Sequence, residues 1–265
     1  MQTKMYIGTN TKMHKTIRQT VAFLDELGRR TQDIDREYLE LFVIPSYTTL
    51  DTASKTARMS AITLGAQNMN WEEEGQFTGE VSPLMLEEAG VKMVCVGHSE
   101  RRHIFGESDE VENKKVLTAL RHNLIPLLCV GETAGQKAFG IENEVLKIQL
   151  KVGLWNTTPR QAENIWIAYE PVWAIGVDGT PATVDYASEK HTVIRNTLKE
   201  LYGKEEGAAI PILYGGSVSN SNAQELIQAP DIDGLFIGRS AWDAENFSRI
   251  IHNIMNITTR EKRRK

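Results

Sequence analysis

One carboxylate stands at the end of an apolar run, and an apolar loop follows it directly. The run IWIAYE ends at Glu170, and the loop extends from Pro171 to Gly176. A buried carboxylate is costly unless it is paired or functional, so Glu170 is either a salt-bridged structural acid or a catalytic base. An apolar loop suits a lid that closes over a ligand, expels water and raises the basicity of Glu170. We therefore predict that Glu170 abstracts a proton beneath a lid of Pro171, Val172, Trp173, Ala174, Ile175 and Gly176.

Two further side chains that could take part in catalysis follow other apolar runs. His98 precedes Ser99 and Glu100, which are typical of the first turn of a helix, and a helix N-terminus disfavours the imidazolium form. A neutral imidazole there would polarise a carbonyl group, although a lone histidine is more often structural. Lys12 lies two residues after Asn10. Lysines are usually solvated, but with Glu100 as its partner Lys12 becomes a candidate to stabilise developing negative charge.

Two glycine turns near the C-terminal end of the chain are candidates for binding phosphate. YGGSV covers residues 214–218, and Gly238 ends the run DGLFIG. Glycine lets the backbone approach a ligand closely, and backbone N–H groups at a helix N-terminus bind anions. We expect no metal site, because the sequence has no CxxC or HExxH motif and its histidines are scattered.

These candidates follow short apolar runs that recur along the whole chain. Each run has the length of a strand and is apolar at successive residues, as in strands buried on both faces of a parallel sheet. Helical patterns lie between most of them, notably over 15–30, 108–122, 184–202 and 244–257. The runs are MYIGTN (5–10), LFVIPS (41–46), AITLGAQN (61–68), VKMVCVGH (91–98), LIPLLCVGE (124–132), IWIAYE (165–170), IPILYGGS (210–217) and DGLFIG (233–238).

The alternation of strands and helices predicts an α/β fold. Eight strand–helix units fit a single-domain closed (β/α)8 barrel, in which active sites lie where the strands end. An open doubly wound sheet is the alternative, but no GxGxxG motif follows the first run. No linker divides the chain, so we predict one domain over 1–257 and a disordered basic tail over 258–265.

Composition and charge exclude several other classes of protein. The net charge of −5 over 265 residues does not indicate nucleic-acid binding. No apolar stretch approaches the ~20 residues that cross a bilayer, and the N-terminus lacks a signal-peptide pattern, so we expect no membrane association. Cys95 and Cys129 lie in apolar runs without a disulfide framework, which favours a reducing, cytoplasmic setting.

Together these motifs resemble those of the triosephosphate isomerase family over nearly the whole chain. The most specific are HSERR and EPVWAIG in this order. The resemblance implies a homodimeric TIM barrel that acts on a small phosphorylated sugar without a metal or an organic cofactor. The motifs are GTNTKM (8–13), GAQN (65–68), FTGEVSP (77–83), VGHSERR (96–102), CVGET (129–133), YEPVWAIG (169–176), YGGSV (214–218) and DGLFIG (233–238).

The resemblance also implies the catalytic roles that are well established for triosephosphate isomerase itself. Glu170 would be the base, His98 the neutral electrophile and Lys12 the electrostatic clamp. Asn10 would lie beside them, with Glu100 and Cys129 in support. Phosphate would be bound at Gly176, Ser217, Gly238 and Arg239. The loop at Phe77 and Thr78 resembles the one that enters the partner subunit, which would make dimerisation part of building the site.

Three departures from the family pattern concern the substrate. Thr11 replaces the usual Trp between Asn and Lys, and the far hinge of the lid is VDGTPA (177–182). The paired glycines after the eighth strand become Gly238-Arg239, followed by SAW. Arginine binds phosphate bidentately, so Arg239 could add a phosphate contact or narrow the pocket.

The GLFIGRSAW segment resembles a branch of the family that converts L-erythrulose 1-phosphate to D-erythrulose 4-phosphate. We favour this four-carbon reaction. The first alternative is interconversion of dihydroxyacetone phosphate and glyceraldehyde 3-phosphate. An alternative of another class is a non-catalytic barrel that binds sugar phosphates.

Overall fold

Each of the eight predicted runs overlaps a β-strand, and seven of them contain the strand completely, whereas the second strand begins two residues before its run. The computed structural model describes residues 4–176 and 179–262, with side chains as far as residue 257. The strands are β1 Met5–Asn10, β2 Leu39–Ile44, β3 Thr63–Ala66, β4 Met93–Val96, β5 Ile125–Val130, β6 Trp166–Tyr169, β7 Ile212–Tyr214 and β8 Gly234–Ile237.

The strands close into a parallel barrel in chain order, and β8 returns to pair with β1. Thr9 is paired with Val43 of β2 on one side and with Ile237 of β8 on the other. The prediction of a closed (β/α)8 barrel is therefore confirmed, and the open doubly wound alternative is wrong. Since all strands run in the same direction, their carboxyl ends meet at one rim of the barrel.

Alternate residues of each strand face opposite sides of the barrel wall. One set fills the interior, where Trp166 packs edge-on against Tyr6 with ring centroids 4.9 Å apart. The intervening residues, such as Leu41 and Val43, belong to the larger core between strands and helices. The interior set comprises Phe42, Ile44, Met93, Cys95, Leu127, Cys129, Trp166, Ala168, Leu213 and Phe236.

Helices surround the strands and cover their outer faces. Thr16, Ser108 and Thr183 cap the first turns of three predicted helices through their hydroxyl groups. The α-helices in the described part of the chain are α1 Ile17–Arg30, α2 Leu50–Met59, α3 Pro83–Glu88, α4 Ser99–His103, α5 Asp109–Arg121, α6 Ala134–Ala138, α7 Glu142–Gly153, α8 Pro159–Ala162, α9 Val184–Tyr202, α10 Lys204–Ala209, α11 Ala223–Gln228 and α12 Ala244–Lys262.

The last helix differs from its prediction. Helix α12 continues to Lys262, whereas we expected a disordered tail to begin at residue 258. Once a helix is nucleated, each added residue gains a hydrogen bond at little further cost, so a polar sequence can prolong it. The rest of the predicted tail, residues 263–265, lies outside the described residues. Of the helices described, none is long and apolar enough to span a membrane.

Candidate active site

A cavity of about 350 Å³ opens at the rim where the strands end. Its walls come from the ends of β1, β6, β7 and β8, from the residue before α4, and from the lid. The barrel thus brings together groups that are up to 232 residues apart in the chain, the separation of Asn10 and Trp242. The predicted site residues that line the cavity are Asn10, Lys12, His98, Glu170, Ala174, Ile175, Gly176, Ser217, Gly238 and Arg239.

Glu170 directly follows β6 and points into this cavity while remaining almost fully buried, with 2% of its surface exposed. Its Oε2 accepts a hydrogen bond from the Ser99 backbone N–H at 3.1 Å, and its Oε1 lies 3.3 Å from His98 Nε2. Gly215 leaves room for this arrangement, because a Cβ atom there would lie 2.9 Å from Glu170 Cγ. The carboxylate is therefore held from the β4–α4 side and confined by the loop after β7.

His98 stands at the N-terminus of α4, as predicted, and its ring caps the helix. Its Nδ1 accepts a hydrogen bond from the Glu100 backbone N–H at 3.1 Å. A nitrogen that accepts a hydrogen bond carries no proton, so the neutral ring holds its proton on Nε2. Nε2 is the atom that faces Glu170. The local fold thus selects the tautomer that can donate a hydrogen bond into the cavity.

Lys12 has an unusual backbone conformation, with φ of 51°. For a residue other than glycine this left-handed conformation costs about 1–3 kcal/mol, so surrounding contacts must hold it. The Lys12 N–H donates to Asn10 Oδ1 at 2.7 Å. Its carbonyl oxygen accepts hydrogen bonds from Gln67 Nε2 at 2.7 Å and from Ser46 Oγ at 2.9 Å. The segment is therefore fixed by strand ends that are distant in sequence.

The Lys12 side chain forms the predicted ion pair with Glu100. Its Nζ lies 2.7 Å from Glu100 Oε1. Partial burial of Glu100 acts to raise the pKa of its carboxyl group, but the hydrogen bond from Lys12 and the charge of its ammonium group act to lower it, and the net shift is downward. Glu100 therefore stays ionised and keeps the ammonium group at the edge of the cavity.

Beyond Gly215, the loops after β7 and β8 form the end of the cavity where phosphate is expected to bind. Asn246 joins them, since its Nδ2 donates to the Ser240 carbonyl at 2.6 Å and its Oδ1 accepts from Asn220 Nδ2 at 2.7 Å. Arg239 begins a short 3₁₀ turn, Arg239–Ala241, and its side chain is exposed at the cavity wall. None of the described residues forms a hydrogen bond or an ion pair with its guanidinium group. Within the described part of the chain, the turn thus presents a cation without a partner beside Gly238.

The lid is anchored to the barrel by its tryptophan. Trp173 Nε1 donates to Glu132 Oε1 at 2.7 Å, and Tyr186 donates to the same oxygen at 2.9 Å. Tyr169 also donates to the fully buried Glu132 carboxylate. Lys137 Nζ lies 3.4 Å from the centroid of the Trp173 indole ring. Sequence reasoning assigned no role to Glu132 or Lys137. Residues 177 and 178 of the far hinge lie outside the described residues.

Some predicted site residues do not line the cavity. Cys129 lies in the barrel interior, 3.6 Å from Cys95 between Sγ atoms, and burial raises the pKa of its thiol well above the ordinary value. Phe77 and Thr78 are exposed on the loop before α3 and do not contribute to the cavity of their own chain. No cluster of three His, Cys, Asp or Glu side chains suited to a metal ion occurs among the residues that the structure describes.

Three residues that hold the site were given no role from the sequence alone. Gln67 and Ser46 bind the Lys12 carbonyl, and Trp242 donates from Nε1 to the Asn10 carbonyl at 2.9 Å. Gln67 stands at the end of the predicted run AITLGAQN, like the other polar candidates, but the sequence does not indicate that it binds Lys12. The SAW segment marked Trp242 as unusual, but nothing in the sequence indicated its partner.

Comparison with known proteins places the whole barrel in one family. The sequence profile of the family described as Triosephosphate isomerase matches residues 5–254. The L-erythrulose-1-phosphate isomerase of Rhizobium etli is 45% identical over 254 residues, which cover 94% of this chain and 92% of that protein. The triosephosphate isomerase of Thermoanaerobacter sp. is 46% identical over 246 residues, covering 93% and 98%.

The fold comparison agrees with the sequence comparison. A crystal structure of triosephosphate isomerase from Bartonella henselae matches with a TM-score of 0.84 at 36% identity. The match covers 94% of this chain and 98% of that one. Relatives named for two different activities are thus similar to this chain at almost equal identity.

Proposed function

Because this chain belongs to the triosephosphate isomerase family and is an isomerase, we propose that it moves the carbonyl group of L-erythrulose 1-phosphate to give D-erythrulose 4-phosphate. The chemistry rests on one observation. Glu170, His98 and Lys12 meet in a single cavity, with Glu170 Oε1 3.3 Å from His98 Nε2. A base, a neutral hydrogen-bond donor and a fixed cation are the groups that an enediolate reaction requires.

The proposed reaction transfers one proton between neighbouring carbons. Glu170 removes the proton from the hydroxyl-bearing carbon beside the carbonyl, and the C–H electron pair forms the double bond of the enediolate. Negative charge develops on the former carbonyl oxygen, where the His98 Nε2–H donates and the Lys12 ammonium attracts. A proton then passes between the two oxygens, and Glu170 returns its proton to the former carbonyl carbon. Substrate and product differ only in the position of the carbonyl.

Two observations favour the four-carbon substrate. The proteins of Rhizobium etli and Rhizobium meliloti that are 45% and 41% identical to this chain are named L-erythrulose-1-phosphate isomerases. The Arg239 guanidinium, which has no partner among the residues that the structure describes, also stands at the end of the cavity where Ser217 and Gly238 are expected to bind phosphate. A planar cation there would fix the phosphate of a longer substrate bidentately. The triose reaction is the second candidate, and the 46% identity to a triosephosphate isomerase favours it.

The decisive experiment measures kcat/KM for both substrates on one preparation of protein. Discrimination for one extra carbon amounts to about 1–3 kcal/mol, so we expect the tetrulose phosphate to be preferred by about tenfold or more. A triose kcat/KM near the diffusional ceiling of roughly 10⁸ M⁻¹s⁻¹, with far slower tetrulose turnover, would contradict the four-carbon assignment.

The role of Arg239 is tested separately. Arg239→Ala should raise KM for both sugar phosphates and weaken binding of inorganic phosphate, because it removes a charged phosphate ligand. Arg58→Ala is the matched control, since Arg58 is exposed on α2 and does not line the cavity. If Arg239→Ala leaves KM unchanged for both substrates, the assignment of Arg239 to phosphate is wrong.

The catalytic role of Glu170 separates an enzyme from a barrel that only binds sugar phosphates. Glu170→Asp withdraws the carboxylate by one methylene group. We expect turnover to fall by about two orders of magnitude or more, because a misplacement of about 1 Å can cost a hundredfold. Affinity for inorganic phosphate should remain, since Glu170 is not among the residues that are expected to bind phosphate. Equal turnover by Glu170→Asp and the wild type would contradict the proposed mechanism.

We further propose that the active form is a homodimer. Exposed apolar side chains follow the site residues in the chain, since Met13 is 94% exposed next to Lys12 and Phe105 is 63% exposed after α4. Phe77, 42% exposed, is on the loop expected to enter the partner. Phe77→Asp should therefore give a monomer in light scattering and no activity in the isomerase assay. Ile148→Asp, on the exposed side of α7, should change neither result. A fully active monomer at assay concentration would contradict this proposal.

A further inference from the structure

Trp242 connects the two ends of the candidate active site. It follows the 3₁₀ turn that begins at Arg239, and its half-buried side chain lines the cavity. Its indole N–H donates to the Asn10 carbonyl oxygen at 2.9 Å. The ring also packs on His14, with centroids 4.4 Å apart. The loop after β8 is called the phosphate-end loop here, and the part of the cavity beside Asn10 and Lys12 is called the catalytic end. One side chain from the phosphate-end loop therefore reaches the backbone of the catalytic end.

The carbonyl that Trp242 binds belongs to the segment that carries Lys12. The Asn10 side chain accepts the Lys12 N–H at 2.7 Å, and Lys12 has the left-handed φ of 51°. Between them, Thr11 is fully buried and donates its N–H to the Ile44 carbonyl at 3.0 Å. A shift of the Asn10–Thr11 peptide plane would therefore move the Asn10 amide and the base of the Lys12 side chain together.

The other contacts to this segment come from different elements. Ile44 ends β2, Ser46 follows it, and Gln67 follows β3. These groups hold the segment from the side of β2 and β3, away from the loop after β8. Trp242 holds it from the phosphate-end loop, so its N–H sets the distance between that loop and Asn10. A substrate that spans both ends of the cavity depends on this distance.

We propose that Trp242 is a positioning residue for the isomerisation, acting through Asn10 and Lys12. The inference rests on the proposed function, because it assumes that Lys12 and Asn10 serve the reaction. Trp242 could instead serve only as an apolar wall of the cavity. The two roles differ in one respect, since a wall needs the ring but not the N–H group.

Trp242→Phe keeps an aromatic ring and removes the donor. We expect kcat to fall about tenfold with each sugar phosphate that the wild type converts, because the loss of one hydrogen bond that positions Asn10 and Lys12 is worth about 1 kcal/mol. Affinity for inorganic phosphate and the melting temperature should stay close to the wild-type values. Trp155→Phe is the matched control, because Trp155 is 66% exposed after α7, and it should change none of these quantities. Unchanged kcat, or an equal loss of kcat and phosphate affinity, would overturn the proposal.

A second measurement does not depend on turnover or on the stability of a variant. In ¹⁵N-labelled wild-type protein, the Trp242 indole N–H should exchange with water more slowly than that of Trp155. In Trp242→Phe the backbone amide signal of Lys12 should shift, whereas in Trp155→Phe it should not. Fast exchange of the Trp242 indole, or an unmoved Lys12 signal, overturns the positioning role. Failure of the wild type to convert either sugar phosphate would instead refute the proposed function alone.

Discussion

The placement of the Glu170 carboxylate can be tested by adding one methyl group beside it. Gly215 lies in the loop after β7, and a Cβ atom built there would stand 2.9 Å from Glu170 Cγ and 3.6 Å from Oε1. Ordinary van der Waals contacts begin near 3.4 Å. Gly215→Ala must therefore displace Glu170 by about 0.5 Å or more, since both atoms sit in a packed rim.

The expected loss of rate follows from this displacement. A misplacement of about 1 Å at a reacting group can cost a hundredfold, so about 0.5 Å predicts a fall in kcat of about tenfold, or ~1.4 kcal/mol in activation free energy. Steady-state kinetics with both candidate sugar phosphates measure this change. Binding of inorganic phosphate, followed by calorimetry, should be preserved, because the added methyl group faces Glu170.

Gly135→Ala is the matched control for this substitution. Gly135 lies in α6, where the nearest atom to an added Cβ outside the local helix backbone is Thr133 Oγ1 at 4.0 Å. This change should leave kcat unchanged and increase the free energy of unfolding by about 0.5–1 kcal/mol. The reasoning is refuted if Gly215→Ala has the kcat of the wild type, or if phosphate affinity falls as much as kcat.

Three other substitutions test the surroundings of the site. Burial raises the pKa of Glu112 to about 7, although Arg102 and Lys115 act to lower it. The folded protein thus keeps this proton at pH values where the unfolded chain has lost it, so stability falls as pH rises from about 4.5 to about 7. The free energy of unfolding of Glu112→Gln, measured with urea, should therefore rise relative to that of the wild type by up to ~3 kcal/mol across this range. Trp173→Phe loses the donor to Glu132, and the lid amides should exchange about tenfold faster by mass spectrometry. Asn246→Ala removes the hydrogen bonds that join the loops after β7 and β8. Since one hydrogen bond contributes about 1 kcal/mol, KM should rise several-fold with little change in kcat.

Each of these expectations has an outcome that would contradict it. A constant free-energy difference between Glu112→Gln and the wild type from pH 4 to pH 8 would show that Glu112 titrates normally. Lid exchange equal to that of the control Trp155→Phe would mean that Trp173 does not restrain the lid. A fall in kcat without any change in KM for Asn246→Ala would place its effect on the catalytic end.

The sequence by itself determined the fold class and the main candidate side chains. A strand buried on both faces must be apolar at successive residues, so runs such as 5–10 and 165–170 are visible without any tertiary information. The first matches β1, Met5–Asn10, whereas β6 is shorter, Trp166–Tyr169, because the apolar run also includes the residues that enter and leave the strand. The prediction of a parallel closed barrel is confirmed.

Glu170, His98 and Lys12 could be chosen from the sequence for a related reason. A polar side chain directly after a buried strand lies at the carboxyl rim of a parallel barrel, and packing alone does not explain it. Their positions in one cavity agree with this expectation. Their roles remain predictions for the kinetic experiments.

Only the tertiary structure decided how these side chains are held. The hydrogen bond from Trp242 to Asn10 joins residues that are 232 positions apart, and it exists because β8 closes onto β1. The contact of Trp173 with the buried Glu132 and the left-handed backbone of Lys12 likewise depend on neighbouring strand ends. Hydrophobic periodicity records which face of an element is buried, but it carries no information about the register in which distant elements meet. A polar group finds its partner only when closure and register bring the two within about 3 Å.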